Sequence, residues 1–130
     1  MLRLLTAVGL WLLVAAAPAG AHHSFAAEFD ATRLVTMRGT IVLMEWVNPH
    51  SMLWIDVPGP AGRAERWGLE LSPPNRLMRH GLRREMLRPG DPIVVKAYPA
   101  RDGRRFASVQ ALELANGLIV GLEAVSTAPR

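Results

Sequence analysis

The chain contains no cysteine, which excludes disulfides, thiolate nucleophiles, iron–sulfur clusters and cysteine-type zinc sites. Histidine, carboxylates and the main chain remain as the available chemistry. Lysine is almost missing as well: every basic residue except Lys96 is arginine, so the cationic groups hold their charge at any pH and can clamp carboxylates or phosphates bidentately. No stretch matches a strong catalytic motif, and there is no internal repeat or low-complexity linker. Strong net charge is lacking too. Across 130 residues, 15 Lys+Arg face 11 Asp+Glu, and with 50% hydrophobic and 20% charged residues the composition is that of one small folded domain, not a disordered chain.

No run is long enough to anchor the chain in a membrane. The uncharged segment 4–17 follows Arg3 and would span about 21 Å as a helix, short of the ~30 Å hydrocarbon core. Small residues follow it, Pro18-Ala19-Gly20-Ala21, and the whole reads as a secretory signal over 1–21 cleaved after Ala21. The organisation expected is therefore a signal at 1–21, an N-terminal arm at 22–33, a barrel domain at 34–122 and a tail at 123–130. The mature protein is expected in the periplasm or secreted, without stable membrane insertion.

The mature chain reads as strands around one short helix. Residues 34–47 are rich in β-branched and large apolar types, with Gly39 marking a bend or bulge in one long strand. Asn48-Pro49 signals a turn. Residues 51–57 alternate, with Leu53, Ile55 and Val57 on one face and Met52, Trp54 and Asp56 on the other; residues 64–71 alternate likewise, with Trp67, Leu69 and Leu71 inward and Arg66, Gly68 and Glu70 outward. Ser72 as N-cap, Pro73 at the first helical position and Gly81 past the end predict a helix of about two turns. Its Leu77 and Met78 would face the sheet, and residues 82–87 would add one further turn. Strands at 93–98 and 106–114 follow, and residues 118–120 add a last short one. This order predicts an all-β fold with one short helix: a small antiparallel Greek-key barrel of the oligonucleotide/oligosaccharide-binding (OB) type, five to six strands with the helix between strands 3 and 4.

Four segments carry a resemblance: Ala21-His22-His23-Ser24-Phe25-Ala26-Ala27-Glu28-Phe29-Asp30, Gly39-Thr40-Ile41, Glu45-Trp46-Val47-Asn48-Pro49-His50 and Pro89-Gly90-Asp91. In these the chain resembles a family of small exported bacterial proteins of unknown function. The resemblance implies export and an all-β barrel, and it lends no activity.

Two constellations are candidate binding sites. Cleavage after Ala21 would make His22 the first residue, where its α-amine and imidazole chelate one metal ion together, with His23 adjacent, His50 in the first hairpin, and Glu28 or Asp30 to complete the shell. Copper(II) is the expected ion, because nitrogen ligands suit it and it heads the divalent affinity order. The alternative is an anionic ligand, an envelope polymer or lipid head group, or a protein partner, held by Arg76, Arg79, Arg83 and Arg84 with Trp46 and Trp54 nearby. Export makes nucleic acid an unexpected partner. His50-Ser51 is not a nucleophile pair, since adjacent strand residues point to opposite faces. No catalytic residue is assigned, and the chain is expected to be a binding module and not an enzyme.

Overall fold

The computed structural model describes residues 25–122. The expected signal segment, His22 and His23, and the tail beyond residue 122 lie outside the described residues. The described residues open with a one-turn helix α1 (Phe25–Glu28), followed by strands β1 (Val35–Glu45), β2 (Ser51–Pro58) and β3 (Ala64–Leu71). A second short helix α2 (Pro74–Arg79) and a 3₁₀ turn (Arg84–Met86) lead to β4 (Pro92–Pro99), β5 (Phe106–Glu113) and β6 (Ile119–Gly121).

The strands form one sheet in the order β3-β2-β1-β4-β5-β6. It closes on itself where β3 pairs in parallel with β5 over Gly68↔Phe106, Leu69↔Ala107 and Glu70↔Ser108. Five strands thus make a closed barrel, and β6 is an extra strand laid on the far end of β5. The interior is mostly apolar, with Ser51, Ser72 and Ser108 the buried polar residues among those described. Leu53, Ile55, Leu69, Leu71, Val95, Ala97 and Leu112 are all fully buried, and the expected alternation in β2 and β3 puts these leucines and Ile55 inside.

Strand β1 corrects one expectation. It pairs with β4 from Val35 to Thr40 and with β2 from Thr40 to Glu45, and the register shift falls between Ile41 and Leu43 and not at Gly39. The bulge inverts the inward phase: Met37 and Ile41 are buried before it and Met44 after it, leaving Leu43 47% exposed. Gly39 serves a different need. A β-carbon there would lie 2.6 Å from the carbonyl oxygen of Asp56, so only glycine lets β1 and β2 approach at the point where β1 changes partners. Gly39→Ala is expected to cost about 1–3 kcal/mol through the forced displacement of backbone, read as a lower midpoint in urea unfolding with an unchanged slope.

Helix α2 starts one residue later than expected. Its N-cap is Pro73, extended at φ −62°, ψ 157°, with Pro74 at the first helical position. Pro74 is the cause, since the residue before a proline is held out of the helical region; Ser72 is instead buried and caps nothing by its side chain. The C-terminus behaves as read. Gly81 takes φ +84°, its N–H donates to Met78 O at 3.0 Å, and the Leu82 N–H donates to Leu77 O at 3.0 Å, a Schellman closure. That closure brings Leu77 and Leu82 into the core together. Met78 does not join them: it is 54% exposed, because a helix this short turns only one position fully inward.

Candidate functional site

The segment ahead of β1 is packed onto the barrel. Phe29 is buried and forms a bridge with Ala100; its ring stacks on Phe106 at 5.8 Å and meets Phe25 at 5.4 Å, while Phe25 meets Tyr98 edge-on at 5.5 Å. The backbone is tied down as well. Asp30 N–H donates to Pro99 O, Arg101 N–H to Glu28 O, and Arg101 Nε to Ala26 O. Arg104 ion-pairs with Glu28 and lies over the Phe106 ring. The β4–β5 connection therefore acts as a clasp on α1, and the residue that follows His23 and Ser24 is held at a defined point on the barrel wall.

The outward face of the β2–β3 ribbon lies beside this clasp. His50 stands one residue ahead of β2, and its Nδ1 is 3.0 Å from Glu70 Oε1. Its side chain is 37% exposed, whereas that of Glu70 is 13% exposed. Burial pushes the Glu70 carboxyl up from the ordinary glutamate range, His50 pulls it down, and the Glu28 carboxylate pushes it up again. Glu70 thus feels both the hairpin histidine and the clasped arm. The ring geometry matters chemically: when Nδ1–H donates to a carboxylate, the tautomer leaves the Nε2 lone pair facing outward, the arrangement found behind metal-bound histidines.

The other outward residues of the ribbon have partners of their own. The Trp54 indole N–H donates to Glu45 Oε2 at 2.7 Å. Its six-membered ring rests over Gly68, where a β-carbon would approach Trp54 Cζ3 to 2.9 Å and Phe106 Cδ2 to 3.0 Å. Arg66 grips Asp56 through Nε and a terminal nitrogen at 2.6 and 3.0 Å, and this holds the Asp56 carboxyl below the usual range. Arg105 pairs with Glu65 at 2.7 Å. Glu45, Asp56 and Glu70 are therefore engaged by three different groups, Trp54, Arg66 and His50. Ser51 is fully buried and its hydroxyl faces Val47 O, on the opposite side from the His50 ring, as the strand alternation required.

The predicted donors are only partly brought together. His50 is at the ribbon, Glu28 is close enough to act on Glu70, and Asp30 is turned to Thr32, whose N–H and hydroxyl both donate to it. His22 and His23 lie outside the described residues. Among the described residues, no group of three or more His, Asp or Glu is arranged to hold a metal ion. The arginine set behaves differently from the expectation. Arg79, Arg83 and Arg84 are exposed and Arg76 is partly buried. Arg83 and Arg88 line a groove of 360 Å³, but with Glu85, Asp91, Met86 and residues 114–116. Neither tryptophan lines it. Trp46 packs against the core and Trp54 belongs to the ribbon face, so the two do not extend the arginine patch.

The strand alternation places Glu70 outward and His50 stands just ahead of β2, but no spacing joins the two, and no strand periodicity reports the aromatic clasp. The spacing of Phe25 and Phe29, four apart with alanines between, is the signal that was present for the latter.

A family model matches residues 9–109 of the chain. The chain belongs to DUF6152, a family of unknown function. No curated protein matches it. Membership in DUF6152 thus fixes relatedness without an activity. Among its described residues no helix is long and apolar enough to cross a membrane.

Proposed function

We propose that this protein is an exported, non-enzymatic binding module that holds a copper ion between its mature N-terminus and the β2–β3 ribbon. The observation that carries this reading is the His50–Glu70 pair, a partly exposed imidazole held through Nδ1 by a largely sheltered carboxylate, an arrangement that would leave Nε2 to accept a metal. The clasped arm supports it, since the chain that leads back from Phe25 to His23 and His22 starts from the side of the barrel where Glu28 influences Glu70. The His22 α-amine and imidazole, with His23, would then supply the remaining nitrogens. Signal cleavage after Ala21 is part of the proposal, because it creates that α-amine.

The barrel itself is read as a Greek-key OB-type barrel. The pairing order around the closure and the parallel β3–β5 contact support that assignment, and in such barrels the strand 2–3 face with its adjoining loops is the ligand surface. The arginine groove is the weaker site, because Glu85 and Asp91 interleave its cations.

The test is a Cu(II) titration of protein secreted and cleaved from its own signal, beside a form retaining one extra residue before His22. Tight one-to-one binding is expected only in the first, weakened by about ten-fold or more by His50→Ala, since loss of even the group hydrogen-bonded behind a metal ligand costs that much. Equal, weak binding in both forms would overturn the proposal.

A further inference from the structure

The hairpin register places a sulfur beside the proposed imidazole ligand. Met52 is the Cα partner of Glu70 on β3 and of Glu45 on β1, and its side chain is half-buried on the outward face. His50 reaches the same Glu70, so His50 and Met52 stand on one face of the ribbon, two residues apart. Trp54, two residues further on, continues that row. A thioether therefore lies between two carboxyl-bearing positions, next to an imidazole, with an indole ring at its other side. β-Branched and aromatic residues are the favoured occupants of strands, and a methionine here presents a soft, polarizable thioether instead.

We infer that the outward face of β2 is a soft-metal site in which the Met52 thioether and the His50 imidazole together bind a monovalent late-transition ion, Cu(I) or its redox-inert analogue Ag(I). Thioether sulfur selects Cu(I) over the harder divalent ions. The neighbouring carboxylates at Glu45 and Glu70 lower the potential at the site and favour a cation, and Trp54 continues the same outward row. Both proposed donors lie in the described barrel, so this site does not depend on the amino-terminal nitrogens. It rests on the reading of His50 as a ligand, and it narrows the ion to one that the nitrogen set alone would not prefer.

Ag(I) titration followed by NMR of ¹³C-methyl-methionine protein tests this directly, with Cu(II) titrated in parallel. One equivalent of Ag(I) is expected to shift the Met52 methyl and the His50 ring resonances. Met52→Leu, a volume-conserving change that the fold tolerates, is expected to weaken Ag(I) by about ten-fold or more while leaving Cu(II) affinity unchanged. Met78→Leu, on the exposed side of α2, controls for adventitious thioether binding and is expected to bind Ag(I) as the wild type does. An unmoved Met52 methyl at saturation, or equal Ag(I) affinity in Met52→Leu, overturns the inference even if His50→Ala still weakens Cu(II). If His50→Ala changes neither ion's binding, the copper reading itself falls, and the soft site with it.

Discussion

Replacing Phe29 by alanine is expected to lower the unfolding free energy by about 3–5 kcal/mol, the usual cost of truncating a buried phenylalanine, and to weaken metal binding at the same time. The residue is 2% exposed yet lies ahead of every strand, so its burial is what attaches α1 to the barrel. Its ring packs on Phe106 and Phe25, and Phe25 in turn meets Tyr98. Truncation removes the centre of that row, leaving the Arg104–Glu28 pair and the Arg101 hydrogen bonds. Those contacts are solvent-exposed and worth little alone. Thermal unfolding measures the first part, and a Cu(II) titration of the folded variant measures the second. Lost stability with intact copper affinity would mean that the arm braces the barrel without delivering ligands to it. Retention of wild-type stability would show that the arm is not docked in solution.

The pairing of arm and ribbon also shows where sequence reading stops. The inward faces of β2 and β3 were legible because aliphatic residues recur at every second position, Leu53 and Ile55 between Met52, Trp54 and Asp56, and Leu69 and Leu71 beside Gly68 and Glu70. The reach of His50 to Glu70 was not, because it depends on the hairpin register Met52↔Glu70, which the length and geometry of the β2–β3 loop set and the alternation does not. The helix start was misread by one residue for a local reason: two consecutive prolines, Pro73 and Pro74, compete for the first helical position, and the second forces the first into extended backbone. The clasp was missed because it joins residues 25–30 to residues 98–106, a contact that no periodicity records. The histidines of the proposed metal site were visible as residue types, but Met52 read simply as the outward side of a strand.

The bulge in β1 gives the sharpest test of the barrel, because there the sequence is silent and the structure is not. Ile41, Val42, Leu43 and Met44 are all apolar, so a strand without a bulge would send Ile41, Leu43 and Glu45 inward, whereas the shift between Ile41 and Leu43 sends Ile41 and Met44. Met44 is 5% exposed and pairs with the fully buried Leu53, while Leu43 pairs with Trp54 on the outer face. Met44→Asp puts an unpaired carboxylate into the core, at a cost of several kcal/mol. Set against a total stability of about 5–15 kcal/mol for a domain of this size, that leaves the variant largely unfolded. Leu43→Asp, one residue earlier and no less drastic in chemistry, is expected to stay within about 0.5 kcal/mol of the wild type. Circular dichroism and urea unfolding of the two variants decide it. The reverse ranking would place the inversion elsewhere in β1 and shift the outward row of β2, on which the proposed metal site depends.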